Sequence, residues 1–132
     1  MREILFRGKS KSINKGKWIY GSFIKDTDLN ACCIINKSLV YELVDRETVG
    51  QFTGFIDKNG KKIFEGDIVE FTDKYTGEKG RAEIVFEAFK WKYSGCYYGV
   101  NPIVWLCIDD KSIEFEIIGN IHDNPELLEN KK

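Results

Sequence analysis

At 132 residues the chain is long enough to bury roughly two-thirds of its unfolded surface in one domain, without metals or disulfides. Twenty basic against 21 acidic side chains leave a net charge of −1, which lacks the basic excess that nucleic-acid binders use against phosphates. No apolar run approaches the roughly 20 residues of a membrane-crossing helix, and Met1 to Arg7 holds none of signal-peptide length, so the expected location is a cytoplasm.

Aromatic residues at 14%, twelve glycines and only two prolines favour strands punctuated by turns. Glu3 to Arg7 reads as a first strand, followed by a polar Lys/Ser-rich loop from Gly8 to Gly16. Lys17 to Lys25 puts Trp18, Tyr20 and Ser22 on one face and Ile19 and Phe23 on the other. After a turn at Asp26 to Asn30, the runs Cys32 to Asn36 and Leu39 to Val44 form a hairpin through Asn36-Lys37-Ser38. Thr48 to Ile56 is a strand, and Asp57-Lys58-Asn59-Gly60 is the clearest hairpin turn, since Asn59 and Gly60 both tolerate positive φ.

A bend at Ile63 to Asp67 opens the second half. Ile68 to Asp73, Gly80 to Phe89 and Phe89 to Tyr93 alternate as strands, with a turn at Tyr75 to Glu78 and another at Ser94-Gly95. Tyr97 to Val100, Ile103 to Ile108 and Ile113 to Ile118 complete the strands. Asp123 or Asn124 then caps a short α-helix that starts on Pro125 and runs to about Asn130.

No motif brings a reaction. The only histidine, His122, has no nucleophile pattern around it and reads as a structural or solvent-facing residue. Asp57, Asn59, Glu65 and Asp67 cluster like calcium ligands, but an EF-hand loop counted from Asp57 finds Lys61, Lys62 and Ile68 where an oxygen ligand, Gly and Glu belong. The four cysteines, Cys32, Cys33, Cys96 and Cys107, lack zinc spacing and are expected as reduced thiols. No catalytic residue, metal or cofactor is expected. Lys58, Lys61, Lys62, Lys90 and Lys92 are the candidate basic patch for nucleic acid, although Lys90 and Lys92 alternate with aromatics and so face away from them.

Three segments carry a resemblance. They are Met1-Arg2-Glu3-Ile4 with Phe6-Arg7; Val49 to Gly54 with Asp57 to Lys61 and Ile63 to Val69; and Ile118 to His122 with Asn124 to Leu128. In this order they resemble the YopX family of bacteriophage and prophage proteins, over essentially the whole chain. The resemblance implies a β-rich fold and a gene carried by phages of Gram-positive bacteria, acting in the host bacterial cytoplasm. It brings no reaction, cofactor or catalytic residue.

The expectation is therefore a mainly all-β, YopX-like domain over 1–132 with one short C-terminal α-helix. Two small packed β units, 1–64 and 65–132, would make it up, the second resembling an SH3-like barrel. The expected role is non-enzymatic: binding a host or phage protein, with no membrane partner and with self-association left open. The alternative is a nucleic-acid-associated accessory protein that uses its small β-barrel.

Overall fold

The computed structural model describes residues 3–28, 30–87, 90–97, 103–107 and 111–128, with the strands alone between 87 and 107. The chain is mainly β, in two antiparallel sheets, and divides into two units, Met1–Gly54 and Phe55–Lys132.

In the first unit, β1 (Phe6–Lys9), β2 (Trp18–Asp26), β3 (Ala31–Ile35), β4 (Tyr41–Leu43) and β5 (Gly50–Ile56) pair in the order β4-β3-β2-β1-β5. β1 lies further along the chain than the apolar run Glu3 to Arg7 suggests. Its register with β2 sets Phe6 opposite Gly21 and Lys9 opposite Trp18, which draws Gly8 and Lys9 out of the expected loop. Gly8 eases that approach, because a Cβ would stand 3.1 Å from that of Val44 and the neighbour would have to give by a few tenths of an ångström. Beyond the strand ends, Lys11 N–H donates to Leu43 O at 2.8 Å and Asp45 N–H to Lys9 O at 2.8 Å, around a single bridge between Ser10 and Val44. Cys32, Ile34 and Val44 are buried on the inner face, with Phe6, Ile19, Phe23 and Val49 packed against them. A Cβ on Gly21 would lie 2.0 Å from Ile35 O, so β2 and β3 approach this closely only because that position lacks a side chain.

In the second unit, β6 (Lys62–Phe64) follows the tail of β5, and β7 (Asp67–Asp73), β8 (Lys79–Glu87), β9 (Lys90–Tyr97), β10 (Ile103–Cys107) and β11 (Ile113–Asn120) pair as β10-β9-β8-β7-β11. The period-2 pattern puts Val69, Phe71, Ala82, Ile84, Ile113 and Phe115 on one face, where they bury together with Ile63. Full burial of a side chain such as Phe71 is worth about 2 kcal/mol.

Three expectations are corrected. Ser94-Gly95 is not a turn: β9 runs straight through it, with Gly95 opposite Ala82 on one side and Val104 on the other. Pairing along both edges of a central strand overrides the local turn signal. The second sheet is open, with β10 and β11 at its edges, rather than a closed SH3-like barrel; strand alternation is the same in both and does not encode closure. The C-terminal α-helix is a single 3₁₀ turn, Pro125–Leu128, in which Leu127 N–H donates to Asn124 O at 3.0 Å. Asn124 does not cap it through its side chain, whose Oδ1 instead accepts from Asn120 N–H at 3.4 Å. Residues 129–130 of the expected helix lie outside the described residues, as do 98–100 of the expected strand from Tyr97.

Candidate functional site

The β5–β6 hairpin presents the first group of sequence-nominated lysines. Its turn is a three-residue loop: Gly60 N–H donates to Asp57 O at 3.0 Å, Asp57 N–H to Lys61 O at 2.8 Å, and Gly60 alone takes a left-handed φ of +80°. The buried Asp57 carboxylate holds the loop from inside. Its Oδ1 accepts from Asn59 N–H and Lys61 N–H, both at 2.9 Å, and its Oδ2 from Ile117 N–H at 3.1 Å. Lys58 N–H donates to Phe115 O at 2.9 Å, so the hairpin covers part of the outer edge of β11.

This docking governs the lysines. Lys58 Nζ lies 3.6 Å from Glu116 and 3.9 Å from Glu114, and Asn59 Nδ2 donates to Glu116 Oε2 at 3.2 Å. Lys61 and Lys62 are exposed. Lys90 and Lys92 stand on β9 opposite Glu87 and Val85, and their side chains lie outside the described residues. Three strand spacings, about 14 Å, separate β9 from β11, and the hairpin that carries Lys58 lies against the far edge of β11. An open groove of about 410 Å³ beside the hairpin is floored by Ile56, Ile63 and Phe115 and rimmed by Lys58, Lys74 and Glu114. With Lys111 and the buried Asp57 the lining holds three lysines and two carboxylates.

The suspected calcium ligands serve the backbone. Asp57 is occupied as described, and Asp67, 2% exposed, accepts from Phe64 N–H at 2.7 Å through Oδ2. Glu65 lies near Glu83, whose carboxyl is pushed above its usual range by burial first and by the Glu65 charge second. Among the described residues no three His, Cys, Asp or Glu side chains converge on a metal position. Cys32 is buried and Cys33 half-buried, both as free thiols. His122 N–H donates to Asn120 Oδ1 at 3.0 Å, and its ring is next to Gly66, where an added Cβ would lie 3.6 Å from Nε2.

A second surface emerges on the outward face of the first unit's sheet. Leu43, Cys33 and Ile24 form one cross-strand row, and Tyr41, Ile35 and Ser22 the next. Tyr41 is 64% exposed, Leu43 46%, Ile24 43% and Tyr20 47%, and the neighbouring Leu39 and Val40 are exposed as well. Beside Tyr20, the Trp18 ring lies 4.6 Å from the guanidinium of Arg7, which is buried, and 5.6 Å from Lys9 Nζ. Sequence reasoning passed over this face. The signal available was that β2 carries apolar side chains on both faces, Tyr20 and Ile24 on one and Ile19 and Phe23 on the other, when one face suffices for a core.

A family model described as YopX protein matches residues 5–129. This chain belongs to the YopX family. A solved relative of the YopX chain is a crystal structure of protein EF1440 from Enterococcus faecalis, similar at 27% identity with a TM-score of 0.56 over 98% of this chain and 100% of that one. The comparison with curated proteins gives no match. No helix among the described residues of this YopX chain is long and apolar enough to cross a membrane.

Proposed function

We propose that this YopX-family chain is a non-enzymatic phage or prophage accessory protein that holds a host or phage protein in the bacterial cytoplasm. The observation that carries this reading is the outward sheet face of Tyr20, Ile24, Ile35, Tyr41 and Leu43. Four of these five are more than 40% exposed on adjacent paired strands. Contiguous exposed apolar surface of this kind marks an interaction site, whereas apolar side chains exposed singly do not. The non-enzymatic part is supported by the buried carboxylates: Asp57 and Asp67 both accept bonds from backbone N–H groups, which is a structural use of charge.

Affinity capture from prophage-induced cells tests the reading, using the full chain beside a Tyr41→Ser/Leu43→Ser variant. A co-purifying protein lost in the variant supports it. A capture profile unchanged by the variant, or one dominated by nucleic acid, overturns it.

A further inference from the structure

The β1–β2 loop gives the same face a basic border on one side, while the exposed Asp26 follows Ile24 on another. Between Ile4 and Lys25 the chain holds Arg7, Lys9, Lys11, Lys15, Lys17 and Lys25 and no acidic residue. Residues 1–54 carry nine basic and six acidic side chains, whereas residues 55–132 carry eleven and fifteen, so the near-zero total conceals two halves of opposite sign. The fold places the basic stretch against the apolar rows. Lys9 lies opposite Trp18 in the β1–β2 register. The backbone N–H of Lys11 donates to Leu43 O at 2.8 Å, which sets that lysine at the end of the Tyr41–Leu43 strand. Lys15 and Lys17 are exposed on the same loop.

We infer that the partner presents an acidic surface around an apolar centre, and that the β1–β2 loop lysines form the rim that receives its carboxylates. This rests on the protein-binding reading above and specifies the partner's chemistry. An apolar centre inside a charged rim is the general anatomy of a protein interface, and the rim charges act mainly on encounter rate and choice of partner. The centre favours protein over single-stranded nucleic acid. Bases stack on flat aromatic rings, but here Ile24, Ile35, Leu39, Val40 and Leu43 outnumber Trp18, Tyr20 and Tyr41.

Peptide display against the full chain tests the inference. Three libraries of identical apolar content would carry Asp/Glu, Asn/Gln or Lys/Arg at their polar positions. The acidic library is expected to give binders whose association slows by about tenfold in Lys11→Glu/Lys15→Glu/Lys17→Glu, with the effect shrinking as salt is added. The same binders are expected to be lost in Tyr41→Ser/Leu43→Ser. Circular dichroism would confirm that both variants are folded.

Equal enrichment from all three libraries, lost only in the Tyr41/Leu43 variant, overturns the acidic inference and leaves the docking reading standing. Binders indifferent to both variants overturn both. Salt-sensitive binding of an oligothymidylate that depends on the lysines alone, or a dimer dissolved by Tyr41→Ser/Leu43→Ser, replaces the acidic protein with nucleic acid or with a second copy of the chain.

Discussion

The Asp57 carboxylate accepts the backbone N–H of Ile117 at 3.1 Å, across 60 residues of chain. One buried side chain thereby fixes the shape of the β5–β6 hairpin and attaches it to β11. Asp57→Ala removes the acceptor for three backbone donors, and each charge-assisted bond is worth roughly 1.5–3 kcal/mol. Part of that is regained by water reaching the loosened loop, so a loss of about 3 kcal/mol is expected in urea unfolding. Asp57→Asn keeps one carbonyl acceptor and should fall between the two.

Gly60 faces open space: a Cβ there would meet nothing within 4 Å, yet its φ is +80°. The cost of a substitution is therefore backbone strain without a clash. Gly60→Val is expected to lower stability by about 1–2 kcal/mol, and Gly60→Asn by much less, since Asn tolerates the left-handed region. Equal thermal midpoints for Val and Asn would refute this assignment of the turn.

Gly119 presents the opposite situation. An added Cβ would lie 2.6 Å from Asn124 Oδ1 and 2.9 Å from Leu127 Cδ1. Gly119→Ala should push the 3₁₀ turn off the sheet, breaking the Arg81 Nη1 to Leu127 O contact of 3.4 Å, at a global cost of about 1 kcal/mol. Hydrogen exchange should then show Asn124 and Leu127 amides losing protection while those of β7 and β8 keep theirs.

Glu83 has a pKa above its usual value in the folded chain, from burial and from the Glu65 charge. A raised carboxyl pKa means that the folded state holds its proton more tightly. The resulting stabilisation is complete below the unfolded pKa and is lost as pH rises through the folded one. Glu83→Gln should accordingly be more stable than the parent at neutral pH, with the advantage vanishing under acid conditions where Glu83 is protonated in both states. Denaturation midpoints across the acid-to-neutral range would measure it. A constant difference would exclude Glu83 as the cause.

The local rules made much of the fold legible. The alternation in β7 and β8, the Gly60 turn and the Gly66 bend all depend on residues within a few positions of one another. What escaped depends on distant partners. Ser94-Gly95 reads as a turn until Ala82 and Val104 flank it. Lys58 reads as a free cation until Glu114 and Glu116, more than fifty residues on, come within 4 Å. The basic border of the first unit was present in the sequence, but a charge summed over the whole chain averages it against the acidic second half. The apolar outer face was likewise written in β2, which carries apolar side chains on both sides.

The order β10-β9-β8-β7-β11 has a consequence for a chain emerging from a ribosome. β8, β9 and β10 can add to β7 one hairpin after another as they appear. The other side of β7 must wait for β11, whose first residue, Ile113, follows the end of β7 at Asp73 by 40 positions. At roughly 5–20 residues per second that interval is about 2–8 s. Throughout it, the backbone groups of Glu70 and Thr72 on that side have no strand to pair with, and the Oδ2 of Asp57 lacks its donor from Ile117. Nascent chains stalled within this window should be far more susceptible to proteolysis and to strand-to-strand association than chains extended past Asn120.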